Sequence, residues 1–266
     1  MKFFDSHCHL DLLAAKVPLA NVFELAQKSN VQAMLIPATT FGSWQAIDAL
    51  VSNSAKLYKS YGFHPYFLAQ HKLAEVGHLL TNKLQQADNT CVAVGEIGLD
   101  YSPVVCSNQQ VKQRQIHLFL QQLEVASQFN KPVIIHHRKS LDDICKYLKQ
   151  QKFQYGGVVH AFSGSAQQAK NLIELGFYLG IGGTITYSRA NKTQQAIQAV
   201  GVDNLLLETD SPDMPIFGKQ GQPNQPGFLP EIFTALHELI SQRSKYKSPE
   251  LLAEKLWDNT HSCFAI

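Results

Sequence analysis

The sequence predicts an α/β fold, a single (β/α)8 TIM barrel occupying residues 1–266 as one domain. Three observations carry that expectation. Eight short apolar runs, each the length of a buried strand, recur along the chain. Segments with helical periodicity separate them, the pattern of parallel βαβ units. Histidines and carboxylates also stand at the C-terminal ends of these runs, and a parallel barrel gathers all such ends on one face.

The runs are residues 2–5, 33–38, 57–63, 91–97, 132–136, 157–161, 177–181 and 204–208. Leu118, Phe119, Leu123, Ala126 and Phe129 mark one apolar helical stripe, and Ile232, Phe233, Leu236, Leu239 and Ile240 mark another. Ser248 followed by Pro249 reads as a helix cap with proline at the first helical position, opening the last helix. Residues 101–112 and 211–226 are expected to be long loops on the C-terminal rim, since each follows a strand and shows little periodicity. An open doubly wound sheet is disfavoured. No GxGxxG turn follows the first run, and Gly180, Gly182 and Gly183 come too late to supply one.

Hydrophobic residues make up 45% of the chain and charged ones 17%, enough for a sizeable core. A net charge of +2 neither demands nor excludes nucleic acid, so any positive potential must be local. Cys8, Cys91, Cys106, Cys145 and Cys263 are odd in number and contain no CxxC pair, which suits reduced thiols. Cys8 should point away from its flanking histidines and pack. The N-terminus has no secretory pattern and no run approaches the ~18 apolar residues of a membrane span, so a cytoplasmic location is expected. No membrane association and no obligate protein partner are expected either.

Six candidate metal ligands stand at strand ends: His7, His9, Glu96, His136, His160 and Asp210. His7 and His9 are one residue apart, so a strand would aim both imidazoles at one face. Glu96 is hard to dismiss, because an unpaired carboxylate in an apolar strand is costly. Four imidazoles and two carboxylates exceed one tetrahedral zinc sphere. They suit two divalent ions sharing a bridging carboxylate, with mixed N/O ligands that permit Zn, Mn or Mg.

The segments Asp5-Ser6-His7-Cys8-His9-Leu10, Gly62-Phe63-His64-Pro65, Gly95-Glu96-Ile97-Gly98-Leu99-Asp100-Tyr101, His136-His137-Arg138, His160-Ala161-Phe162-Ser163-Gly164 and Leu207-Glu208-Thr209-Asp210-Ser211-Pro212 resemble, in order and spacing along the whole chain, the TatD family of metal-dependent hydrolases. Asn259-Thr260 resembles the family's closing Asn-Thr. Asp213-Met214-Pro215 and Gln220-Gly221-Gln222-Pro223-Asn224 are similar to its YjjV-like branch. The resemblance implies a TIM barrel with metal-dependent deoxyribonuclease activity. It puts His7, His9, Glu96 and Asp210 around one ion and Glu96, His136 and His160 around the second, with Glu96 bridging.

The expected reaction is phosphodiester hydrolysis by a metal-activated water, with Asp210 as ligand and general base. Arg138 either stabilises charge on the phosphoryl oxygens or serves as a structural ion-pair partner. His64 either holds the substrate phosphate, acts as general acid, or makes a supporting hydrogen bond. Glu208 shares a strand face with Asp210 and could orient a ligand histidine, whereas His137 is expected to support or lie at the surface. Tyr101, Phe162, Phe217 and Tyr66 are rim aromatics on which unpaired bases could stack, or packing residues. Near-neutral charge favours a few nucleotides of single-stranded DNA, hence an exonuclease. Rival readings keep the centre and change the substrate to another ester, a lactone, an amide or a D-aminoacyl-tRNA, or keep the barrel as a non-catalytic metal-binding module. A bridging Glu96 rather than a carboxylated lysine leans toward the TatD-type centre.

Overall fold

The computed structural model describes residues 1–52, 56–241 and 246–266. Its strands are β1 (Phe3–Asp5), β2 (Val31–Pro37), β3 (Leu57–Tyr61), β4 (Cys91–Asp100), β5 (Val133–Arg138), β6 (Gly157–Val159), β7 (Phe177–Ile181) and β8 (Leu205–Leu207). All neighbours pair in parallel, in the order β1 to β8. The ring closes through main-chain bonds: Ser6 N–H donates to the Leu207 carbonyl at 3.0 Å, and Asp210 N–H donates to the His7 carbonyl at 2.9 Å. The helices are α1 (Leu10–Leu13), α2 (Leu19–Lys28), α3 (Trp44–Val51), α4 (Leu73–Gln85), α5 (Gln109–Gln128), α6 (Leu141–Gln150), α7 (Ala166–Glu174), α8 (Asn191–Val200), α9 (Leu229–Ile240) and α10 (Pro249–Phe264). This is the expected (β/α)8 barrel.

Each apolar run overlaps its strand, and the departures lie at the ends: β2 already begins at Val31. β4 continues to Asp100 and β5 to Arg138, whereas β8 stops at Leu207. The loop expected over 101–112 is shorter, because Asn108 caps α5: its Oδ1 accepts the Val111 N–H at 3.0 Å. The stripes on α5 and α9 face inward as expected, with Phe129 and Leu239 only partly buried. Ser248 Oγ accepts the Leu251 N–H at the start of α10.

The apolar core has two layers. One fills the space between strands and helices. The other is the barrel floor, where Phe4, Leu35, Val92, Ile134, Val158 and Leu206 meet Phe264 at the end of α10. With the floor filled by hydrocarbon, polar groups inside the barrel are confined to the opposite end, at the strand C-termini.

A polar cluster on the outside of β3 supplies a pH test of stability. Asp48 on α3 accepts hydrogen bonds from Lys59, Tyr61 and Lys83. Burial alone would raise its pKa, but Lys83, Tyr61 and Lys59 outweigh it and hold the carboxyl below its ordinary 3.8. A depressed folded-state pKa gives stability that is complete above the unfolded value and lost as pH falls through the folded one. Asp48→Asn is therefore expected to be less stable than the parent at pH 7 and to lose less on acidification below about pH 4. Urea unfolding at pH 7 and pH 3 measures this; parallel losses in both proteins would remove Asp48 as a source of acid sensitivity.

Candidate metal centre

Glu96 lies inside β4, where the strand goes out of step with β5: Val94 pairs with Val133, but Ile97 pairs with Ile135. Three steps on one strand against two on the other make a bulge, which re-aims side chains. Two glycines admit this packing. A Cβ at Gly62 would lie 2.6 Å from the Gly95 carbonyl carbon, and one at Gly98 (φ +138°) would lie 2.1 Å from the His136 carbonyl oxygen.

The other candidate ligands, His136 excepted, arrive from segments just beyond strand ends. His7 and His9 follow β1, in a stretch kept strand-like by a parallel bridge between Cys8 and Ser211. Cys8 is buried and turned away, its Sγ 3.7 Å from the Leu35 carbonyl. His160 is the residue after β6, and His136 lies within β5. Asp210 is three residues past β8 rather than on a strand, in a left-handed conformation (φ 58°) that non-glycine residues rarely adopt.

The two oxygens of Glu96 face different groups. Oε2 lies 3.3 Å from His7 Nε2 and 3.4 Å from His9 Nε2. Asp210 Oδ1 completes that side, 3.5 and 3.7 Å from the same two nitrogens. Oε1 lies 2.8 Å from His160 Nε2, 3.3 Å from His136 Nδ1 and 3.0 Å from His64 Nε2. Every expected ligand is thus brought into one cluster around Glu96.

The outer partner of each ring decides what its inner nitrogen offers. His9 Nδ1–H donates to the Pro37 carbonyl at 3.1 Å, leaving Nε2 bare. His136 Nε2–H donates to Asp100 Oδ2 at 3.2 Å, leaving Nδ1 bare. His160 Nδ1 faces Glu208 Oε1 at 3.8 Å, a charge contact too long for a hydrogen bond. Glu208 Oε1 instead accepts the Ala161 N–H at 2.6 Å, so it fixes the segment carrying His160 more than the ring itself. His64 is the opposite case. Its Nδ1 accepts the Tyr66 N–H at 3.0 Å, so a neutral ring carries its proton on Nε2 and presents a donor to Glu96. His64, although close enough to count among possible ligands, is arranged as a proton donor.

Ring nitrogens converge elsewhere: His7 Nε2 lies 3.2 Å from the bare His9 Nε2, and His160 Nε2 lies 3.3 Å from the bare His136 Nδ1, while the outer Nδ1 atoms of His7 and His160 have no hydrogen-bond partner to hold a proton there. Ring nitrogens so close, two of them bare and all gathered on a buried carboxylate, call for cationic charge between them. The donor set fits divalent metal on these grounds. Fields in the centre point the same way. Burial opposes charge on Glu96, but His64, His160 and His7 hold its pKa well below the ordinary value. Burial likewise opposes charge on His9, yet Glu96 and Asp210 raise it to about 9. Burial lifts Asp210 to about 6, against His160 and His9.

Several supporting residues carry no signal of their own in a single sequence. Gln115 and Gln122, seven apart on α5, are both fully buried. Gln122 exchanges two hydrogen bonds with the backbone of Phe63, next to His64. Gln115 does the same with Asp100. One helix thereby fixes the ends of β3 and β4. Asp5 accepts from the N–H and hydroxyl of Thr209, and Asn224 Nδ2 donates to the Thr209 carbonyl, so the residue leading into Asp210 is fixed at three points. Asp100 was open to prediction: it lies four residues after Glu96 and so shares its strand face.

The remaining sequence candidates divide. Arg138 is exposed, and its guanidinium makes no ion pair among the described residues. His137 is buried, with Nε2 unpartnered. Phe162 is 2% exposed and cannot receive a base; Tyr101 is half-buried and its hydroxyl donates to Asp143. Tyr66 and Phe217 are 54% and 66% exposed. Phe41, also 54% exposed, follows β2 on the same rim and was not anticipated.

A parallel eight-stranded barrel with a histidine–carboxylate cluster at its strand C-termini is the architecture of a metal-dependent hydrolase. The chain belongs to the TatD family: residues 4–265 match the family described as TatD related DNase. It is 41% identical to an uncharacterized metal-dependent hydrolase of Haemophilus influenzae, over all of both chains. It is 37% identical to YjjV of Escherichia coli strain K12, over 100% of this chain and 98% of that one. The crystal structure of that YjjV covers 99% of this chain with a TM-score of 0.89. No helix among the described residues is long and apolar enough to cross a membrane.

Proposed function

We propose that the protein is a deoxyribonuclease that hydrolyses phosphodiester bonds of single-stranded DNA from an end, using two divalent cations. The observation that carries this reading is Glu96, one carboxylate oxygen facing His7, His9 and Asp210 and the other facing His136 and His160. A shared carboxylate between two donor sets suits a pair of divalent ions, which His7, His9 and Asp210 on one side and His136 and His160 on the other would hold. When bound, such ions supply charge stabilisation for a pentavalent phosphorus and lower the pKa of water.

The protein's own groups then have distinct roles. Asp210 holds the attacking water and accepts its proton. His64, a neutral ring with its proton on Nε2, donates a hydrogen bond to Glu96 at rest and to the departing oxygen during the reaction, and the proton that this oxygen takes up comes from Asp210. Arg138 supplies a fixed positive charge at the edge of the centre. Exposed Phe41, Tyr66 and Phe217 offer ring faces for unpaired bases. A net charge of +2 favours contact with few nucleotides. The family description, TatD related DNase, supports the same substrate class. In keeping with cysteines that are all unpaired, the proposed location is the cytoplasm.

The test is an end-labelled single-stranded oligomer incubated with metal-reconstituted protein. Stepwise shortening from one end, abolished by EDTA, is expected. An intact oligomer with Zn, Mn or Mg at confirmed occupancy would overturn the nuclease reading and redirect attention to lactone, amide or aminoacyl-tRNA esters.

A further inference from the structure

Beside the metal centre is a cavity of about 410 Å³ that contains none of the candidate metal ligands. Arg138, Lys139, Lys192, Ser163 and Asp142 line it, together with His137. The three cations are exposed and come from two elements, the end of β5 with its following turn and the first turn of α8. The one carboxylate, Asp142, is engaged by Gln168 Nε2 at 2.9 Å. The lining is therefore net positive on a molecule that is nearly neutral.

The cavity is suited to an anion in one further way. It lies at the N-terminus of α6, where backbone N–H groups point outward and the helix dipole favours negative charge. Ser140, at the cap position, leaves these groups open: its hydroxyl donates to the Leu99 carbonyl at 2.6 Å and accepts the Arg138 N–H at 3.2 Å. At the wall, His137 is 8% exposed and its Nε2 has no partner. That nitrogen is sealed within the wall, so the groups that meet an occupant are the three cations and the open backbone N–H groups.

Position identifies the occupant. Arg138 is two residues beyond His136 on β5, so both side chains leave the same strand face, roughly 7 Å apart along the strand. An anion held by Arg138, Lys139 and Lys192 would sit about one nucleotide from a phosphodiester at the centre. We infer that this cavity is a subsite for a second phosphate, the neighbour of the scissile one along a single strand. The identity of that ligand rests on the nuclease reading. Arg138 then acts on the neighbouring phosphate, and binding there sets the register of the strand against the centre.

The test uses full-length protein freed of metal with EDTA, so that binding is read without turnover. Fluorescence anisotropy with a labelled short oligothymidylate is measured over a range of salt, for the parent, Lys192→Ala and Arg138→Ala. Each variant is expected to weaken binding roughly tenfold and to lower the slope of log K against log salt by about 0.7, one lost phosphate contact on a single strand. Both side chains are exposed, so melting curves should match the parent. Unchanged affinity and slope in both variants would overturn the subsite, as would absence of binding by the parent. Cleavage by metal-loaded parent protein reports separately on the nuclease reading. Cleavage with variant-insensitive binding defeats the subsite alone, and variant-sensitive binding without cleavage defeats the nuclease alone.

Discussion

Asp210→Asn is expected to lower kcat by roughly 10²–10⁴-fold with the fold and melting temperature close to those of the parent. After Glu96 the carboxylate is the one nearest to both His7 and His9, and it is the more exposed of the two, 13% against 2%, so it is the one an incoming water meets. An amide of the same shape keeps the contacts and cannot accept the proton. Asparagine is also the replacement best suited to the backbone, because it tolerates φ near +58° better than most residues. The hydrogen bond from the residue's N–H to the His7 carbonyl is made by the main chain and survives. Asp210→Val would confuse the two effects, since a β-branched residue is strained at this φ. The measurement is steady-state cleavage of the oligomer, with bound metal counted in the same preparation. Turnover within threefold of the parent at equal metal content would remove Asp210 as the base.

The parts of this centre legible in the sequence share one physical cause. Parallel barrel strands are buried on both faces, so they read as continuous apolar runs, and any charged or imidazole group at their ends stands out against that background. His7, His9, Glu96, His136, His160 and Asp210 were visible for that reason. What the sequence concealed depends on contacts between distant elements. Gln115 and Gln122 look like ordinary polar positions on a helix, yet the structure buries both amides against the ends of β3 and β4. The proton-donor role of His64 depends on a backbone N–H two residues away, and no pattern of residue types reveals which ring nitrogen meets it. Phe162 follows His160 closely and reads as a rim aromatic, but it is packed inside. Asp210 was placed on a strand by period-two reasoning, and it reaches the centre by a left-handed turn instead. In each case the missing information was the third dimension rather than the chemistry of the residue.

Glu96→Ala is expected to remove metal from both sides of the centre at once, not from one. Each remaining set still has its histidines: His7 and His9 with Asp210, and His136 with His160. If the two sets held their ions independently through separate carboxylates, losing one ligand would empty one site and spare the other. Because Oε1 and Oε2 belong to the same side chain, both lose their nearest oxygen together. The weakening should exceed the 10–100-fold typical of losing a mere supporting partner of a ligand. At free metal a hundredfold above Kd, binding stabilises the folded protein by about 2.7 kcal/mol per site. A hundredfold weaker site under the same conditions contributes about 0.4 kcal/mol. The metal-induced rise in melting temperature should therefore largely vanish in the variant, and metal content by plasma mass spectrometry should fall from two ions per chain toward none. Asp100→Asn is the informative contrast. It disturbs only the outer nitrogen of His136, so it should weaken one ion and leave the other. Two variants that lost metal identically, one ion each, would show that Glu96 serves a single ion and that the centre is not bridged.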